Sequence, residues 1–106
     1  MRILCIGDSN TWGYVPGEDG VRTQKRWTNL LAELRPNDTI IEEGLCGRTV
    51  IAKDTIVPVR CGIDTLPILM LSHVPVDLVI IMLGTNDLKK QFNPSAKHIS
   101  SGIEEY

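Results

Sequence analysis

The feature that most constrains this chain is the run Val76-Asp77-Leu78-Val79-Ile80-Ile81-Met82-Leu83. After Asp77 it is apolar without alternation, and a strand that shows no polar face needs cover on both sides. The run therefore predicts a strand inside a parallel sheet with helices above and below. Two further segments fit the same sheet. Arg2–Gly7 is a short apolar run stopped by turn-rich residues, and Thr39-Ile40-Ile41-Glu42-Glu43 is a β-prone segment closed by Gly44, its charged end expected near solvent.

The intervening segments read as helices. Trp27, Leu30, Leu31 and Leu34 recur at helical spacing and stop before Pro36, so they are expected to face the core. A second helix has Asp64 and Pro67 marking its start and Leu66–Leu71 as its body, apolar nearly all round. Asn93-Pro94 offers a cap and first-turn proline for a third, with Ala96, Ile99 and Ile103 inward. Strands alternating with helices predict an α/β fold, a parallel sheet with right-handed crossovers and helices on both faces.

Composition narrows the function. With 106 residues, 42% apolar and 23% charged, the chain suits one domain. A net charge of -2 without a like-charge block predicts neither a nucleic-acid partner nor a membrane surface. The opening apolar run breaks at Gly7-Asp8, too early for a signal-peptide core, so a cytoplasmic location is expected. Cys5, Cys46 and Cys61 lack Cys-x-x-Cys spacing and nearby paired histidines, which predicts reduced thiols and no zinc site.

Ligands of open parallel sheets bind where the loops leave the carboxyl ends of the strands. Here those loops are Gly7-Asp8-Ser9-Asn10-Thr11-Trp12-Gly13, Gly44-Leu45-Cys46-Gly47-Arg48-Thr49 and Gly84-Thr85-Asn86-Asp87. A Gly-Asp-Ser block, an isolated glycine loop and a Gly-x-Asn-Asp block, in that order, resemble the SGNH, or GDSL-type, hydrolases. The likeness spans nearly the whole chain. Thr11-Trp12-Gly13, Glu42-Glu43-Gly44-Leu45 and Met82-Leu83-Gly84-Thr85-Asn86-Asp87 are most similar to the arylesterase and acyltransferase branch.

The resemblance implies Ser9 as nucleophile, with an oxyanion hole made by the Ser9 and Gly47 N–H groups and the Asn86 side-chain amide. An ester hydrolase of this kind is expected to need no metal or cofactor. Acyl transfer builds negative charge on the carbonyl oxygen, and each preorganised donor aimed there is worth about 10²–10³ in turnover. A glycine at position 47 lets backbone approach without a Cβ in the way. Asn86 is a donor at any working pH. Asp8 and Asp87 read as hydrogen-bond acceptors that shape their loops, with a substrate contact the lesser reading for Asp8. Trp12 is a candidate for the acyl or alcohol pocket, and Gly44 reads as a strand end. Cys46 reads as a packing residue beside the oxyanion glycine, with a reactive thiol as the alternative. Arg48 is either a substrate contact or a solvated loop charge.

A serine hydroxyl also needs a general base, itself oriented by a third group. The resemblance implies an Asp-x-x-His block for this, and the chain has none. His73 is expected at the far end of the sheet in a structural role, and His98 lies in the first turns of the last helix. The family fold is a flavodoxin-like doubly wound sheet of five parallel strands in order 2-1-3-4-5, and three are present here. Residues 1–106 therefore read as the N-terminal part of one hydrolase domain, nearly inactive alone, with a complementing C-terminal segment or a second copy as possible partners. Two other classes compete with an esterase: a flavodoxin-type module whose Ser9–Thr11 loop holds a phosphate or nucleotide, and a non-catalytic subunit that retains the cleft.

Overall fold

The computed structural model describes residues 1–106. Strands β1 (Arg2–Gly7), β2 (Thr39–Gly44) and β3 (Leu78–Met82) form one sheet in the order β2-β1-β3. Both pairings are parallel. Helices α1 (Ser9–Trp12), α2 (Trp27–Leu34), α3 (Gly62–His73) and α4 (Ala96–Glu104) alternate with them, and short 3-10 turns occupy Pro58–Arg60, Asn86–Leu88 and Lys90–Phe92. Alternation along the strands divides the sheet into two faces. Ile40 and Glu42 meet α2 on one, while Val79 and Ile81 meet Leu66 and Met70 of α3 on the other. This is the expected three-layer α/β/α arrangement with the first three strands of a doubly wound sheet.

β1 is the centre of the core: Leu4 and Cys5 are 0% exposed and Ile6 is 1%. β3 differs from its sequence reading. It begins at Leu78, not Val76, because Asp77 is occupied at the strand entry, where its carboxylate accepts from Arg2 N (2.7 Å) and its own N–H donates to Arg2 O (2.9 Å). Leu78 and Met82 are 42% and 44% exposed, since β3 is paired along one edge only.

The helices also depart from expectation. In α2 the buried residue is Thr28, whose hydroxyl bonds Glu42, while Leu30 and Leu34 are exposed. Trp27 and Leu31 of the apolar stripe are half-buried, so the stripe is covered along one side only. The charged end of β2 is correspondingly paired: Arg26 grips Glu42 through Nε (2.8 Å) and Nη2 (2.9 Å). α3 starts at Gly62, so Pro67 lies inside it. Gly62 is buried, and a Cβ there would meet Thr49 O at 2.4 Å, which allows the helix to begin against the preceding loop. α4 is capped by Ser95, whose Oγ accepts from His98 N, while Asn93 takes a left-handed turn outside the helix. Its buried contact is Gly102 against Ile51, and Ala96 and Ile103 are exposed.

Candidate active site

In the register of the sheet, Gly7 pairs with Gly44 on one side and Met82 on the other. The three strands thus end level, and their loops leave at the same end. After β1, buried Asp8 caps α1 by accepting from Asn10 N (3.0 Å), which places half-buried Ser9 at the first helical position. Gly13, at φ +91°, ends the helix in the left-handed conformation that favours glycine. Trp27 Nε1 donates to buried Thr11 Oγ1 (3.0 Å), fastening α1 to α2.

Gly44 does more than end β2. A Cβ there would lie 2.3 Å from Trp12 N, and one at Gly7 would lie 1.9 Å from Thr11 Oγ1. Both glycines let α1 settle onto the strand ends, which fixes the backbone at Ser9. Gly47 adopts φ +84°, and a Cβ there would meet Arg60 Nε at 2.4 Å. The left-handed backbone there favours glycine, and Arg60 lies packed against it.

Arg48 is not a solvated loop charge. Its side chain is buried, and Nη1 donates to the carbonyls of Glu43 and Gly7 (3.3 Å to the latter), the last turns of two neighbouring strands. Burial pushes its guanidinium pKa down, opposed by the nearby Glu43 carboxylate. The third loop is latched to the second. Asn86 Nδ2 donates to Arg48 O (3.1 Å), and buried Asp87 accepts from Val50 N (2.8 Å), Ile51 N (3.4 Å) and Ala52 N (3.3 Å). Asp8 and Asp87 are therefore acceptors that shape loops, as their sequence context suggested.

Neither the Ser9 N–H nor the Gly47 N–H donates to a protein atom, and Asn86 uses one amide proton of two. Neutral donors are thus free on all three loops. Trp12 is half-buried with the Arg22 guanidinium 5.1 Å from its ring centroid, a cation–π contact. Cys46 is half-buried and its carbonyl accepts from Arg60 Nε (3.2 Å). No three His, Cys, Asp or Glu side chains gather as metal ligands.

The histidines lie apart from the nucleophile loop. His73 Nε2 is 2.6 Å from Glu43 Oε1, and its carbonyl accepts from Arg2 at the sheet's opposite end. His98 is exposed and lines a cavity of about 210 Å³ with Ile51, Lys53, Asp87, Phe92 and Ile99. Neither forms a hydrogen bond to Ser9. Sequence reasoning missed Arg60 and Asp54. Buried Asp54 accepts from Ile56 N and Val57 N (both 2.9 Å) and from Arg60 Nη1 (3.4 Å), which holds Arg60 over Gly47. Only the turn-forming Asp54 carried a local signal.

The family model described as GDSL-like Lipase/Acylhydrolase matches residues 5–104. Among solved structures, the native aryl esterase of M. smegmatis is 46% identical with a TM-score of 0.90. Est24, a carbohydrate acetylesterase from Sinorhizobium meliloti, is 41% identical with a TM-score of 0.91. Each comparison covers 98% of this chain and 51% of the other, so the chain spans about half the length of these relatives. The SGNH-hydrolase family esterase AlinE4, at 24% identity and a TM-score of 0.72, shares the fold. No curated protein sequence matches. On three ordered sequence blocks, a parallel β2-β1-β3 sheet and a family match across residues 5–104, the chain belongs to the GDSL-like lipase/acylhydrolase, or SGNH, family.

Proposed function

We propose that this chain is the nucleophile and oxyanion-hole half of a serine ester hydrolase acting on small acyl esters, with transfer to an alcohol as a competing outcome. Ser9 Oγ attacks the ester carbonyl, and the Ser9 N–H, Gly47 N–H and Asn86 amide receive the oxyanion. The observation that carries this reading is the bond from Asn86 Nδ2 to Arg48 O. It ties the third loop to the residue next to Gly47 and leaves a second amide proton free, at the end of the sheet where the Ser9 and Gly47 N–H groups are also unengaged. Three preorganised neutral donors stabilise charge as it develops. The aryl ester and carbohydrate acetate specificities named for the two relatives support small esters as the substrate class.

The general base in this reading lies outside residues 1–106, in a segment that continues the same domain. His73 is committed to Glu43, and His98 has no carboxylate orienting it toward Ser9. The test is aryl-acetate hydrolysis by the chain and by its Ser9→Ala and His98→Ala variants. Slow turnover is expected, since oxyanion stabilisation and binding alone leave about 10³–10⁴ over water. Efficient turnover that requires both Ser9 and His98 would make His98 the base. In a protein that supplies the base, Asn86→Ala is expected to lower kcat by about 10²–10³ with little change in KM.

A further inference from the structure

The geometry points to Arg48 as the positioning residue of the oxyanion hole, the single side chain and carbonyl that hold all three donor loops in one arrangement. This rests on the oxyanion reading above. Arg48 follows Gly47 in the chain. Its Nη1 donates to Gly7 O, at the end of the strand that leads into Ser9, and to Glu43 O at the end of β2. Its carbonyl accepts from Asn86 Nδ2 (3.1 Å). The residue thus touches the Ser9 loop through its guanidinium, the Gly47 loop through its own backbone and the Asn86 loop through its carbonyl.

Its burial argues for more than packing. The guanidinium meets backbone carbonyls and no carboxylate hydrogen bond, and its Nε is buried without a partner. A buried cation so incompletely paired is costly, and an apolar residue of similar volume would fill the space at less cost. What an apolar residue cannot do is donate from one nitrogen to the carbonyls at two strand ends. A displacement of about 1 Å at a reacting centre costs about 10²-fold, so the grip has a direct effect on any oxyanion bound there.

The test uses phenylboronic acid, which mimics the tetrahedral state. Ser9 Oγ forms a bond to boron, the hydroxyl proton leaves to solvent, and the adduct carries one negative charge. Binding to the 106-residue chain is followed by ¹¹B NMR, alongside ¹H–¹⁵N resonances of Gly47 and the Asn86 side chain. Arg48→Lys keeps a charge, but its Nζ stops one bond short of the Nη1 position that reaches both carbonyls; Arg48→Met loses charge and donors alike. Each is expected to weaken the adduct about 10-fold to 100-fold and displace the Gly47 and Asn86 resonances, with affinity for the neutral ester isostere benzamide unchanged. A folded Arg48→Lys with wild-type boronate affinity and unmoved resonances overturns the proposal, whether or not Arg48→Met folds. Ser9→Ala controls the underlying reading. If it leaves boronate affinity unchanged, the nucleophile assignment fails separately.

Discussion

The two sides of the sheet are built differently. From β1 to β2 the chain combines the fully buried Leu4 and Ile6 with a polar clamp in which Arg26, just before α2, and Thr28 of α2 hold Glu42. β2 and β3 each have one hydrogen-bonded neighbour, but on the β3 side no such clamp is present, and Leu78 and Met82 are more than two-fifths exposed. Long-range polar contacts hold both its ends: Asp77 pairs with Arg2 at the entry, and Asn86 and Asp87 grip the loop after β2 beyond its carboxyl end. Burial stabilises the first side, and a hydrogen-bonded latch joins the second to it. The proposed donors span that division: Ser9 follows the buried central strand, whereas Gly47 and Asn86 follow the two outer strands.

Substitution can break this contrast. The largest effect is expected for Leu4→Ala, which removes a wholly buried side chain at the centre of the sheet. Urea unfolding should show a loss of about 2–5 kcal/mol. Asp87→Ala comes next, because it strands the N–H groups of Val50, Ile51 and Ala52. A loss of about 1–3 kcal/mol in the same titration is expected, with faster amide exchange at those three residues. A null result would mean that the latch does not hold the edge.

A smaller effect sharpens the comparison through pH. Hydrogen bonds from Arg26 hold the Glu42 carboxyl below its usual 4.5, against desolvation that raises it. A carboxylate lowered on folding contributes stability that is fully present above its unfolded pKa and lost as pH falls through the folded value. Acid titration from pH 6 should therefore show a decline beginning near 4.5 that is shallower in Glu42→Gln. Unchanged steepness would remove the clamp from the account. The smallest effect is expected for Leu78→Ala at the outer strand, about 1 kcal/mol, since only part of its surface leaves water. A loss matching that of Leu4→Ala would show the edge to be covered in solution.

Much of the site was legible because its signals are local. Gly7-Asp8-Ser9 and Gly84-Thr85-Asn86-Asp87 stand directly after apolar runs, so strand ends and loop chemistry could be read together. Asp8 caps the residue two positions on, a contact that sequence proximity makes visible. Arg48 was not legible. Its neighbours Gly7 and Asn86 are distant in the chain, and a lone arginine in a polar loop looks like any solvated charge. Arg60 over Gly47 escaped notice for the same reason.

The sequence by itself determined the alternation of strands and helices, the family and the order of the three loop blocks, because periodicity and glycine-bounded turns act over a few residues. It also determined that β3 is apolar. Only the tertiary structure decided how that strand is covered, which residues of α2 are buried and what packs against Gly44, Gly47 and Arg48. Those depend on contacts across the sheet, such as the Thr28 hydroxyl on Glu42 or the Trp12 backbone against Gly44. Hydrophobic pattern specifies that a face must be covered, and only packing specifies by what.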